Sequence, residues 1–312
     1  MVHSSLSKLA MKMIGELTAL GAALCWTFSA VLYKKALAQT KPISANIVRC
    51  TGTSLILVLI FTLMGKIHIF ASLPVNAILL ASVSGVIGLG LGDTLYMTSL
   101  EILGVARAVT ITATYPLFSL VWAYLLAGET ITLPVIFGAA AIVFGIWLLT
   151  SGEEEQNMGN DGGWKKLRVK GLIIALITAI VWSVSISMIN LAVKAAASLE
   201  QAYAINTLRI ATVAIFLLAL VPFGNVKSSV RKVGLKTVAM LLTGGLIAIG
   251  VGWFLLTTSF IYIPEAQAVP ISSTTPLFST LFDAIFLREK VTAKVALGSI
   301  IVVAGIFLVF IE

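Results

Sequence analysis

Residues 104–119 read GVARAVTITATYPLFS, and residues 264–279 read PEAQAVPISSTTPLFS. Nine of these sixteen aligned positions are identical at an offset of 160, and the shared residues include the prolines at 116 and 276. Two apolar segments often look alike by chance, because both draw on few residue types. An offset that holds through polar and proline positions is not explained that way. The offset continues outward in both directions. It carries Glu129 onto Glu289, Gly138 onto Gly298 and Gly145 onto Gly305. It also carries Gly90 and Gly92 onto Gly250 and Gly252, and Asn46 and Arg49 onto Asn206 and Arg209. Near the start of each half the offset is 156, pairing Gly15 with Gly171 and Trp26 with Trp182. The second half of the chain repeats the first.

Composition says what solvent this repeat is built for. The 312 residues are 59% hydrophobic and 11% charged, and the mean hydropathy is +1.07. A soluble domain carries roughly 25% charged residues. The net charge of +8 comes from basic residues lying between apolar stretches, where they set membrane orientation, so nucleic acid is not an expected partner. The two cysteines, Cys25 and Cys50, lie in apolar segments and suggest neither a disulfide framework nor a thiolate metal site. With His3 and His68 as the only histidines, no metal centre and no cofactor is expected. Lys8 and Lys12 lead into a long apolar segment without a cleavage site of small residues, which reads as a first span and not as a signal peptide.

A spanning helix needs ~20 apolar residues. Apolar runs set against polar punctuation predict ten spans, at 15–36, 43–65, 75–99, 105–127, 131–150, 171–193, 201–222, 234–260, 265–287 and 292–311. The runs do not alternate as barrel strands do, so they are expected to be helices. The longest polar stretch runs from Ser151 to Lys170 and reads as a flexible linker. The expected domains are 1–150, a linker at 151–170, and 171–312. Five spans per half is an odd number. The halves then insert with opposite orientation and form two inverted five-helix repeats, an all-α membrane architecture typical of secondary transporters.

The residues carry a family resemblance as well. The first helix of each half contains a tryptophan, in LTALGAALCW and LIIALITAIVW. The third span holds GLGLGDTLYMTSL, and the paired segments continue as GVARAVTITATYPLFSLVWAYLLAGETIT and EAQAVPISSTTPLFSTLFDAIFLREKVT. On these segments the chain resembles the drug/metabolite transporter superfamily, in particular its EamA-type members, over nearly its whole length. The resemblance implies ten helices, alternating access and a central cavity lined by the first four helices of each half. It implies a substrate among amino acids, nucleotide sugars, other metabolites or drugs, with export common.

Several residues are candidates to carry transport. Trp26 lies about eleven residues into its helix, which at ~1.5 Å per residue is near mid-bilayer, and Trp182 matches it. An indole there offers a ligand a stacking face and one donor, or serves as packing bulk. Pro116 and Pro276 each free the carbonyl four residues earlier, at Thr112 and Ser272. The hydroxyls of Thr110, Thr114, Ser273 and Thr274 and the phenol of Tyr115 surround them, so the broken helices read as the site and its gates. The competing reading is a pair of static kinks with back-bonded hydroxyls. Arg107 and Gln267 open the two segments and are gate candidates. Asp93 lies inside the third span, where a charge costs several kcal/mol unless it pairs, protonates or meets water. It is the candidate proton carrier, with an arginine partner as the structural alternative. Its repeat mate is Trp253, a candidate substrate contact together with Tyr96, one turn after Asp93. Arg49 and Arg209 lie about two turns into their helices, positioned to snorkel or to meet an anion. Glu129 and Glu289 read as helix-end residues.

These features predict a carrier for a small metabolite, an amino acid or related compound, in the cell membrane, with substrate and lipid as partners and a monomer or homodimer as the working unit. The rival is an integral membrane enzyme or lipid-handling protein, which would need a metal-pyrophosphate aspartate motif or a histidine cluster. Orientation is divided. Lys and Arg concentrate in the odd-numbered loops, which puts the termini outside, whereas the family resemblance implies termini inside.

Overall fold

The structure, a computed structural model, describes residues 2–103, 108, 111–150, 162–196, 198–222, 230, 233–278 and 292–310. The described residues form helices and contain no strand. In chain order these are α1 (Val2–Leu37), α2 (Pro42–Leu63), α3 (Val75–Leu103), α4 (Tyr115–Ala127) and α5 (Leu133–Thr150). They continue as α6 (Gly162–Lys194), α7 (Leu199–Ala219), α8 (Leu235–Tyr262), α9 (Glu265–Ser272) and α10 (Ala293–Phe310). Among the described residues, six helices are long and apolar enough to cross a membrane: α1, α2, α3, α6, α7 and α8. α4, α5 and α10 are shorter apolar helices.

The side-chain distribution is turned inside out relative to a water-soluble fold. Leu55, Leu59 and Leu63 of α2 and Ile215 of α7 point outward, 55–78% exposed. The same helices bury Asn46, Arg49, Thr53, Asn206, Thr207 and Arg209. A hydrocarbon solvent explains both halves of this pattern. Exposed leucine costs nothing there, and polar groups must find partners inside the protein.

Four expectations need correction. α1 begins at Val2, not at 15, because residues 2–14 contain neither Gly nor Pro to stop it. α6 begins at Gly162, so the helix takes over the second part of the expected 151–170 linker, where lysine and arginine are good helix formers. The third and eighth spans are not regular. α3 passes through a π-helical segment at Gly85–Gly92 and α8 through one at Leu246–Gly252. Finally, Pro116 is not mid-helix. The chain turns at Ala113–Thr114, and Pro116 sits in the first turn of α4, where a missing N–H is free of cost. The matching turn is at Ser273–Thr274, ahead of Pro276.

Glycines let α5 and α10 touch backbone to backbone. A Cβ on Gly138 would stand 2.8 Å from the Gly305 carbonyl oxygen, and one on Gly145 would stand 2.8 Å from that of Gly298. The crossing is antiparallel, and each glycine meets the repeat mate of the other.

Candidate functional site

The two π segments organise the centre. A π turn breaks the regular i→i−4 ladder, and buried carbonyls so released need donors. Asn46 Nδ2 donates to the Leu89 carbonyl at 2.8 Å, and its repeat mate Asn206 donates to Ile249 at 3.2 Å. Both asparagines are fully buried. The same sequence position thus performs the same task in each half.

The halves also grip one another reciprocally. Trp182 of the second half lies on Gly92 of the first, where a Cβ would come within 2.7 Å of the indole. Trp26 of the first half lies on Gly252 of the second, with a Cβ distance of 2.9 Å to Nε1. Gly85 abuts the Arg209 backbone and Gly245 abuts Arg49. Gly15 abuts Ile263, and Gly171 abuts Leu103.

Candidate side chains collect around this seam, and here the halves differ. Arg49 is 4% exposed, so it does not snorkel. Its Nη2 donates to Asn46 Oδ1 at 2.6 Å and to the Asp93 carboxylate. Asp93 also accepts from Trp182 Nε1 at 2.9 Å. Trp182 in turn contacts Tyr96, with ring centroids 4.9 Å apart, and Tyr115, edge-on at 6.1 Å. In the second half Arg209 is 0% exposed. Its guanidinium carbon stands 3.8 Å over the Trp253 ring, and its Nη2 donates to Ser185 Oγ at 2.9 Å. Arg209 Nε and Nη1 have no hydrogen-bond partner among the described residues, and neither has Asn206 Oδ1. Each buried donor left open costs about 1–3 kcal/mol. Trp26 meets Trp253 at 5.7 Å and donates Nε1 to the Ala248 carbonyl at 3.2 Å, inside the second π segment.

The structure therefore brings Trp182, Tyr96, Tyr115 and Asp93 into one group and Trp26 and Trp253 into another. Thr114, Ser273 and Thr274 donate their hydroxyls to carbonyls of their own turns, at Ile111, Pro270 and Ile271. In that role they satisfy the breaks, leaving only their lone pairs to offer a ligand. Thr275 Oγ1 donates to Ala23 across to α1 at 3.3 Å. Gln267 is 6% exposed at the start of α9. Arg107, Thr110 and Glu289 lie outside the described residues. No group of three or more His, Cys, Asp or Glu that could hold a metal occurs among the described residues.

A second polar cluster was not singled out by sequence. Gly128, left-handed at φ 64°, ends α4, and the Glu129 N–H beyond it donates to the Ala123 carbonyl. That turn aims Glu129 at the N-terminus of α9. Its two oxygens accept the backbone N–H groups of Glu265 and Ala266, each at 3.0 Å, and Lys194 Nζ sits 2.7 Å from Oε1. The fully buried Glu265 accepts from Ser187 Oγ and from Asn190 Nδ2, the latter at 2.8 Å. An acid aimed at a helix N-terminus in a matched pair with Glu289 was visible in sequence only as a helix end. Asn46 and Asn206, one helical turn before each arginine, were the stronger missed signal.

Comparison with known proteins agrees over the whole length. The sequence profile of the EamA-like transporter family matches residues 13–151 and again 169–311. An "uncharacterized transporter" of Archaeoglobus fulgidus is 22% identical over 300 residues, spanning 95% of this chain and 98% of its own. A crystal structure of a protein at 17% sequence identity superposes with a TM-score of 0.71, covering 95% of this chain and 96% of the other. That likeness speaks to fold alone.

Proposed function

We propose, from the premise that this chain belongs to the EamA-like transporter family, that it is a secondary carrier moving a small metabolite, an amino acid or related compound, by alternating access. In this reading ten spans form two inverted repeats, 1–150 and 171–312, around a central site, and the protein works in the cell membrane. The observation that carries it is the reciprocal seam. Trp26 on Gly252 and Trp182 on Gly92 exchange between halves, as do Gly85 with Arg209 and Gly245 with Arg49. A two-fold relation produces such exchanged pairs. The antiparallel crossing of α5 and α10 supports an axis perpendicular to the helices, which in a bilayer means in the membrane plane. Two near-equivalent halves meeting at polar, glycine-lined π segments can then rock about one site.

Within that site Trp26, Trp182, Trp253, Tyr96 and Tyr115 supply stacking faces. Asp93 is the proton-coupling candidate, with Arg49 holding it. The test is a thermal-unfolding screen of the purified, detergent-solubilised protein against amino acids, nucleotide sugars, nucleobases and organic cations. A ligand that binds the folded state alone raises its stability by mass action. A dose-dependent rise that Trp26→Ala abolishes supports the central site. A rise that Trp26→Ala and Trp182→Ala both leave intact contradicts it.

A further inference from the structure

The halves treat the same arginine differently. Arg49 has its carboxylate in Asp93 and its amide oxygen in Asn46. At the position matching Asp93, the second half has Trp253. Arg209 accordingly rests on an indole face and gives one bond to Ser185. Its Nε and Nη1 are open among the described residues, where Arg49 leaves only Nε open, and Asn206 Oδ1, one helical turn earlier on the same face, is open as well. Asp93 is within electrostatic reach of both arginines, yet its two oxygens are already bonded to Arg49 and to Trp182. Among the described residues the cluster thus holds two guanidinium groups and one carboxylate. A guanidinium does not deprotonate in a protein, and a buried cation without a counter-ion is strongly disfavoured. An anion brought from outside would pair with the donors that Arg209 leaves open among the described residues. A planar fork of N–H donors flanked by an aromatic face matches a carboxylate.

We propose that Arg209 is the docking point for the carboxylate of the transported compound, with Trp253 as the floor under the guanidinium and Ser185 holding it in place. This rests on the carrier reading and narrows its substrate to carboxylate-bearing metabolites. The Arg49–Asp93 pair is the internally neutralised counterpart of the same device.

The experiment compares acids with their own carboxamides by thermal unfolding of the full-length protein. The probes are leucine against leucinamide, phenylalanine against phenylalaninamide, and the amine-free acids, with sodium chloride and phosphate as anion controls. The acids are expected to raise Tm dose-dependently and the amides to leave it unchanged. Arg209→Gln is expected to weaken the acid response at least about tenfold. Should Arg209→Gln fail to fold, Asn206→Asp keeps the arginine and supplies an internal carboxylate from the position where Asn46 meets Arg49. It is expected to abolish the acid response by filling the fork. Amides acting as well as acids would overturn the proposal, as would an acid response surviving both variants, or chloride or phosphate alone reproducing it. Stabilisation by neutral or cationic compounds without an acid response overturns the carboxylate assignment and leaves the carrier reading intact. A panel in which nothing binds counts against both.

Discussion

Glu129→Ala should open one end of the molecule. Glu129 accepts two backbone N–H groups at the start of α9, each at 3.0 Å, through a side chain that is 8% exposed. Charge-assisted bonds of this kind contribute about 1.5–3 kcal/mol each. Lys194 is 38% exposed and adds less than about 1 kcal/mol. The alanine variant therefore loses about 3 kcal/mol or more from the contact between the α4–α5 turn and α9, and a shift of that size changes a conformational equilibrium about 10²-fold. Ala266, 1% exposed and packed with Leu120, Ala123, Val135 and Ala139, reports on this contact. In a Cys25→Ser, Cys50→Ser background, Ala266→Cys is expected to react slowly with N-ethylmaleimide. Adding Glu129→Ala should raise the alkylation rate by an order of magnitude or more, with Glu129→Gln between, since an amide keeps one acceptor and drops the charge. A folded, monodisperse Glu129→Ala protein labelling within about twofold of its parent would refute the assignment of Glu129 as the latch on this end.

Other perturbations test the centre and the seam. Asp93→Asn leaves Arg49 buried without its carboxylate and should cost about 3–5 kcal/mol, read as a lowered unfolding temperature. If Asp93 couples protons, the same variant also loses pH-gradient-driven uptake in vesicles, and retained uptake would remove it as the coupling group. Gly92→Ala would place a methyl 2.7 Å from the Trp182 indole and should displace it from Asp93, seen as a shift in tryptophan emission. Gly145→Ala meets the Gly298 carbonyl at 2.8 Å. Because backbone cannot swing aside, it should destabilise α5 on α10 by about 1–3 kcal/mol, measured against Gly65→Ala, where the strain is conformational and no atom lies within 4 Å.

The repeat and the helical class were legible because they are written in matched residue identities at fixed offsets. The aromatic cluster was legible for the same reason, since Trp26, Trp182 and Trp253 are bulky residues placed deep within spans. What escaped was geometry that periodicity does not encode. The π segments read as ordinary apolar helix, because Gly85–Gly92 differs from a regular span only in its hydrogen-bond spacing. Thr114, Ser273 and Thr274 were open to two readings, ligand groups or back-bonded hydroxyls, and their hydroxyls do bond carbonyls of their own turns. Arg49 and Arg209 read as cations that snorkel or meet an anion. Their burial depends on partners in other helices, Asp93 and Trp253, at sequence distances no local pattern reveals. Glu129 needed the left-handed turn at Gly128 before its target became visible.

The most direct test of the carrier account is counterflow in proteoliposomes, using the compound that most stabilises the protein. Alternating access predicts saturable uptake that speeds up when the same compound is loaded on the far side, because each half-cycle then returns occupied. Flux that rises linearly with concentration and ignores the far side would contradict it and point to a pore.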